Sequence, residues 1–213
     1  MQITEKLRAI LSLPAGYRLF VRVVGGKVRE TYVSEYVRPV AGEKILDIGC
    51  GPADILDYLP RMDYTGFDIS QRYIASARRR FGDRGRFYRD DAGLANIESE
   101  RGTFNLVLAT GVIHHLDDEQ SGNLFKLARL ALRPEGRLIT FDGCYVLGQS
   151  KIAHWMLTRD RGRFVRTQDE YLRLASACFL KVESHLRHDL LRIPYTHLIM
   201  RCSNTAESSH HNS

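Results

Sequence analysis

Tryptophan occurs once in this 213-residue chain, proline six times, and the four cysteines, Cys50, Cys144, Cys178 and Cys202, stand far apart. With no CxxC pair and no Cys/His cluster, the spacing argues against both a zinc site and a disulfide framework, and four reduced thiols are expected. Long apolar runs are missing too: the longest uncharged one, Asn105 to Ile113, is far short of the roughly 20 residues a membrane helix needs. The first residues alternate charged with apolar side chains and build no signal-peptide core, so a cytoplasmic location is the expectation. Negative charge is the scarcer sign, with 25 acidic residues against 31 basic ones and a net charge of +6. The excess gathers in arginine and is densest in QRYIASARRRFGDRGRFYRD, residues 71 to 90. Such a patch can track a phosphate backbone, but an arginine-rich helix is more often a solvated face. Its aromatics, Tyr73, Phe81, Phe87 and Tyr88, are spaced as core anchors and not as a base-stacking ladder. An anionic small substrate explains the charge at least as well.

What is present is a change of pattern near residue 40. Before it, Ile3, Leu7, Ile10 and Leu11 share one face of a short helix stopped by Pro14. Helical regions over Tyr17–Val24 and Lys27–Val37 then end at Gly25-Gly26 and at Arg38-Pro39. From Lys44 onward, short apolar strands alternate with helical segments, the signature of a parallel sheet covered on both faces. Strands are expected at 44–48, 64–68, 86–89, 104–109 and 137–141, and helices near 53–59, 70–81 and 118–132, the last ended by the turn Arg133-Pro134-Glu135-Gly136. An insertion over 143–166 precedes a helix opened by a Thr167/Glu170 capping box. Period-two alternation over 180–202 predicts an antiparallel hairpin at one sheet edge. The division is therefore a helical lid at 1–39, a main domain at 40–203 and a disordered polar tail at 204–213.

The stretch KILDIGCGPADILDYL, residues 44–59, is a strand that stops at Gly49 and Gly51, where a ligand can approach the backbone closely. Strand, glycine turn, helix and an acid about twenty residues on, here Asp68, is a general recipe for holding an adenosine-containing cofactor. A dinucleotide needs a third glycine at position 54, but Asp54 stands there and would repel a pyrophosphate at the start of the following helix. Asp47, two residues before the first glycine, has no phosphate to serve but is placed to face an ammonium group. S-adenosylmethionine, with adenosine at one end and a cationic amino acid at the other, answers both acids.

The ordered series LDIGCGPAD, YTGFDIS, FYRDDA and LATGVIHHL resembles the motifs of class I S-adenosylmethionine-dependent methyltransferases, particularly the small-molecule branch related to ubiquinone and menaquinone biosynthesis. The resemblance covers residues 44 to about 142. It implies a Rossmann-like α/β fold with a seven-stranded, mostly parallel sheet, an antiparallel C-terminal hairpin and an N-terminal helical lid. It also implies that Asp47 and the backbone of Gly49, Cys50 and Gly51 hold the methionine end of the cofactor. In the same series Asp68 holds the ribose, Ile69 packs on the adenine, Asp91 with Ala92 meets the adenine amino group, and Thr110 lines the methionine side. Ala53 departs from the family's usual glycine.

Methyl transfer requires alignment and exclusion of water, to which a positioned base adds about a hundredfold to ten-thousandfold where the acceptor carries a proton. His114 follows strand four at the carboxyl edge of the sheet and is the expected base, with His115 beside it as an acceptor contact. Asp142, Tyr145, Arg161 and Arg166 are further candidates for meeting an acceptor, the arginines through a carboxylate or phosphate on it. Tyr17, Phe20, Tyr32 and Tyr36 give the lid an aromatic lining compatible with a lipid-like, quinone-like or glycosylated metabolite. No Asp/Asn-Pro-Pro-aromatic stretch and no Pro-Cys follows strand four, which sets aside the adenine- and glutamine-amino enzymes and the cytosine carbon-5 enzymes. The acid of the metal-dependent catechol pattern is missing there too, so no metal is expected. The leading expectation is methylation of a small molecule, at oxygen in preference to carbon or nitrogen. An RNA or tRNA methyltransferase and a non-catalytic cofactor-binding partner subunit are the alternatives, and the sequence carries no sign of oligomeric state.

Overall fold

The computed structural model describes residues 28–89, 100–159 and 162–204. Helix α1 (Val28–Tyr32) runs on into a π-helical turn over Val33–Val37, and Arg38, left-handed at φ 45°, ends it. The strands that follow are β1 (Lys44–Ile48), β2 (Asp63–Asp68), β3 (Gly85–Arg89), β4 (Phe104–Thr110), β5 (Leu132–Tyr145), the two-residue β6 (Arg166–Thr167), β7 (Lys181–Arg187) and β8 (His197–Ser203). Between them lie α2 (Gln71–Phe81), α3 (Asp118–Ala131), α4 (Lys151–Arg159) and α5 (Gln168–Ser176). The main sheet runs β3-β2-β1-β4-β5-β8-β7, with β6 pairing only to β5. Pairs among β1 to β5 are parallel, β8 is antiparallel to both β5 and β7, and β7 therefore points the same way as the parallel set.

Alternation along β1 divides the core. Leu46 and Ile48 join Val107, Phe125 and Tyr171 on one face, whereas Ile45 joins Tyr64, Ile74 and Leu108 on the other. Helix starts are sealed by side chains: Asp117 and Gln120 form a capping box at α3, Thr167 and Glu170 form the expected one at α5, and Ser70 caps α2. Two arginines pin α1 and its π turn to the sheet. Arg137 on β5 donates to Glu43 and to the carbonyls of Val37 and Arg38, and Arg187 on β7 donates to Glu35 and to the Tyr36 hydroxyl.

Two expected elements differ. The helix predicted at 53–59 is only a 3₁₀ turn over Asp54–Asp57, because Asp54 is drawn inward to Arg80 and Arg29. Residues 132–136 belong to β5 instead of a turn, with a register shift against β4 between Phe104 and Leu106 that absorbs Pro134 and Gly136. The two N-terminal helical readings over 1–24, with their lid residues Tyr17 and Phe20, and the tail from 205 lie outside the described residues.

The crossover of chain order falls between β1 and β4, so a crevice opens beyond their carboxyl ends. The turn that leaves β1 is left-handed at Gly49, Gly51 and Ala53 (φ 72°, 56° and 56°). At the fully buried Ala53 this costs about 1–2 kcal/mol. Ala53→Gly relieves that strain but gives up a buried methyl worth about 0.8 kcal/mol and adds chain entropy on unfolding. Chemical denaturation is therefore expected to find Ala53→Gly close to neutral and Ala53→Val, β-branched at a left-handed position, destabilised by at least about 2 kcal/mol.

Candidate functional site

Asp47 lies across from Gly66 in the β1–β2 register, and alternation sets Tyr64, Gly66 and Asp68 on the face that Asp47 shares. Gly66 presents no side chain, and the Cys50 thiol lies where its Cβ would project. The Tyr64 hydroxyl donates to Asp47 Oδ2 at 2.5 Å, while the other oxygen, Oδ1, is buried without a hydrogen-bond partner among the described residues. Burial, reinforced by the Asp68 carboxylate, pushes the Asp47 carboxyl up to about 7 against the Tyr64 hydrogen bond. The same surroundings hold the Cys50 thiol and the Tyr64 phenol well above their ordinary values, chiefly through burial. Asp68 accepts from the Ser70 amide at 2.7 Å through one oxygen and from the Gly51 amide at 2.9 Å through the other. Burial still raises its carboxyl.

The glycine turn spends its own amides inside the fold. Gly49 and Cys50 both donate to the Phe67 carbonyl, at 2.8 and 2.9 Å, and Gly51 donates to Asp68. What this backbone retains for a ligand is carbonyl oxygen and bare glycine surface; nothing stands within 4 Å of where a Gly51 Cβ would be. Next to Asp68, Ile69 is 70 % exposed, an apolar platform beside a carboxylate. Thr110, at the end of β4, meets the Tyr32 hydroxyl at 3.2 Å, and Tyr32 packs edge-on against Phe141. Both Asp47 and Asp142 are close enough to raise the Tyr32 phenol further, after the larger effect of burial.

Beyond β4, His114 and His115 differ in exposure. His114 is buried and His115 is exposed, their rings 4.2 Å apart. His114 Nδ1 sits 2.8 Å from Asp142 Oδ1, and the His114 amide donates to the same oxygen at 3.2 Å. A carboxylate only accepts, so the ring donates to Asp142 through Nδ1–H. Gly162 passes so close that a Cβ there would overlap the His114 ring, and the Phe164 amide donates to the His114 carbonyl.

The remaining expectations divide. Asp142 is a partner of His114. Tyr145 lies against His154 at 5.1 Å. Arg166, expected near an acceptor, is tied into the fold. All five of its N–H groups are engaged, by Asp118 and by the carbonyls of Ile113, Phe164 and Leu116, so it locks the loop that carries the histidines. Asp91, Ala92, Arg161 and Tyr17 lie outside the described residues. Tyr64 was missed altogether. Its signal is the period-two pattern of YTGFD, which puts a phenol, a gap and an acid on one face.

Residues 45–136 match the profile of the methyltransferase domain family. The chain is thus similar, over that stretch, to a methyltransferase domain. It is 30 % identical over 103 residues to a malonyl-[acyl-carrier protein] O-methyltransferase of Legionella pneumophila, covering 46 % of this chain and 32 % of that protein. It is 36 % identical over 107 residues to an uncharacterized protein of Synechococcus, covering 46 % of this chain and 25 % of that one. The chain thus spans about a quarter to a third of the length of these curated relatives. A solved protein from Pyrococcus horikoshii superposes with a TM-score of 0.63 at 21 % identity, covering 88 % of this chain and 91 % of that one, which shows a shared fold.

The residues of this site fit S-adenosylmethionine. The orphaned Asp47 oxygen calls for a cation, the open side of Gly51 admits a ligand against the backbone, and Ile69 beside Asp68 offers an apolar surface next to a hydroxyl acceptor. Because the Asp47 carboxyl lies at about 7 and not near its ordinary 3.8, the native state binds the extra proton between those values, and stability of the ligand-free protein falls as pH rises across that window. Asp47→Asn is therefore expected to melt higher than the parent at about pH 8, with the difference vanishing below about pH 4. A thermal melt series across that range, without ligand, is the measurement.

Proposed function

We propose that the protein transfers the methyl group of S-adenosylmethionine to a small-molecule acceptor, at oxygen in preference to carbon or nitrogen, with His114 as the base. The observation that carries this reading is the buried His114–Asp142 pair at 2.8 Å, with Asp142 and Asp47 both near enough to Tyr32 to raise its phenol. When bound, S-adenosylmethionine supplies an electrophilic methyl group on a sulfonium. Asp47 faces its ammonium, Asp68 and Ile69 take the ribose and adenine, and Asp91 with Ala92 extends the adenine contact. Thr110, with its Tyr32 partner, closes the methionine side.

Asp142 keeps the proton on His114 Nδ1, so Nε2 takes a proton from the acceptor as its oxygen becomes the nucleophile. The Gly162–Phe164 strap keeps water from that ring. Tyr145, His115, Arg161 and Tyr17 remain the acceptor-side residues of this reading.

The arginine patch speaks for a small acceptor over RNA. Arg78 donates to the Phe87 carbonyl, Arg80 pairs with Asp54 and Asp57, Arg84 donates to the carbonyls of Leu56 and Leu59, and Arg86 pairs with Asp63. These four guanidinium groups are engaged in holding the fold around α2, which supports the small-acceptor reading.

Calorimetry with S-adenosylhomocysteine tests the cofactor half: binding is expected, weakened by about 1–3 kcal/mol in Asp68→Ala, and its absence from the parent protein would sink the proposal. For the chemistry, His114→Ala is expected to keep cofactor affinity and to lower turnover on a hydroxylated acceptor by about a hundredfold to ten-thousandfold. Unchanged turnover would remove His114 from its role.

A further inference from the structure

Tyr64 reaches Asp47 from the neighbouring strand, and the sheet around it leaves room for that reach. In register, Tyr64 lies opposite Ile45 on β1 and Gly85 on β3, while Gly66 lies opposite Asp47. The ring therefore leans along β2, past residue 66, to meet an acid two positions beyond its own partner on β1. Glycine on both strands opens the way. A Cβ on Gly66 would stand 3.0 Å from the ring edge and 2.8 Å from the Cys50 thiol, and one on Gly85 would stand 2.9 Å from the ring. Phe87 packs against the same ring, the centroids 5.8 Å apart. Phenylalanine would fill this buried space as well as tyrosine does, so packing gives the hydroxyl no purpose. Its one purpose on the page is Asp47 Oδ2, at 2.5 Å.

We propose that Tyr64 is a positioning residue for the cofactor: by occupying Oδ2 it turns Asp47 so that Oδ1 meets the ammonium, and it helps hold on Asp47 the negative charge that the ammonium requires. The proposal rests on the cofactor reading above, since the ammonium is the cofactor's. A carboxylate offers two nearly equivalent oxygens. With one taken by the phenol, the other, which has no hydrogen-bond partner among the described residues, is where a proton or a cation must go. A hydrogen bond of this length to a carboxylate is charge-assisted and favours the ionised form. It acts against burial, the largest influence on Asp47, and against the Asp68 carboxylate from the same strand as Tyr64. Cys50 from the glycine turn and Tyr32 from α1 also face Asp47, and burial keeps both in their neutral forms. Burial likewise holds the Tyr64 phenol well above its ordinary value, so it remains a donor through the alkaline range.

Tyr64→Phe removes the hydroxyl and keeps the ring. In the ligand-free full chain, carboxyl-labelled aspartate followed by NMR, with the Asp47 signal assigned by its loss in Asp47→Asn, is expected to show Asp47 titrating at about 7. In Tyr64→Phe the midpoint is expected at least about one pH unit higher. A midpoint that stays or falls would overturn the proposal. Calorimetry with S-adenosylhomocysteine is expected to find Tyr64→Phe about tenfold weaker than the parent at about pH 6, the ratio closing to within about twofold near pH 9 as Asp47 ionises in both proteins. A deficit of the same size at both pH values would overturn the proposal, because the hydroxyl would then serve structure alone; so would no deficit at either. Methylthioadenosine, which keeps the adenosine and lacks the ammonium, is expected to bind parent and variant equally, and a loss there would also overturn it. In the Asp47→Asn background, Tyr64→Phe is expected to leave the pH dependence of binding unchanged. A parent protein that fails to bind S-adenosylhomocysteine would sink the cofactor reading and this proposal together, whereas binding by the parent with an unshifted Asp47 titration in Tyr64→Phe would sink this proposal alone.

Discussion

The structure turns on a carboxylate that the fold itself leaves incompletely paired. Asp47 is buried at the end of β1, held at one oxygen by Tyr64, with no hydrogen-bond partner for the other among the described residues and with Asp68 near enough to disfavour its charge. Burying an acid in that state costs several kcal/mol unless a cation or a proton answers it. An apolar side chain at position 47 would make a better core. That the strand ends on an acid all the same is a local inconsistency of the kind that marks a functional site. The rest of the cleft follows from it: Gly66 makes room opposite, Cys50 fills that room, and the turn from Gly49 to Gly51 is tied back to Phe67 and Asp68 so that its position is settled before a ligand arrives.

A second buried polar pair organises the other rim. His114 and Asp142 come from the β4 loop and from β5, and they meet because the two strands are neighbours in parallel register. The loop is held by Arg166, whose guanidinium gathers three carbonyls and Asp118 into one knot. An arginine that looks in sequence like a substrate anchor is tied into the fold on both sides of His114, through the Ile113 and Leu116 carbonyls. Preorganisation of this kind is what methyl transfer asks of a protein, since alignment and dryness supply most of what it contributes.

The parallel sheet, the crevice between β1 and β4 and the paired acids were legible because each rests on local pattern: apolar runs, glycine punctuation and the alternation that fixes which face a side chain takes. The limits of helix 53–59 were not legible, because they depend on Asp54 meeting Arg80 from 26 residues away. The start of β5 was hidden for a similar reason, since Arg133-Pro134-Glu135-Gly136 reads as a turn until β4 offers a partner across a register shift. The roles of Tyr64, Asp142 and Arg166 were also beyond reach from sequence. Each is decided by which neighbour occupies its hydrogen-bonding atoms, and residue type does not carry that information.

The most direct test of the central claim is proton counting during cofactor binding. S-adenosylhomocysteine, which carries the same ammonium, is titrated calorimetrically into the protein at about pH 6.5 in buffers of differing ionisation heat. If an ammonium replaces the proton that Asp47 otherwise needs, most of one proton is released per ligand bound, and the release disappears in Asp47→Asn. Binding heats that do not depend on the buffer would contradict the account, because Asp47 would then already be ionised and compensated without the ligand.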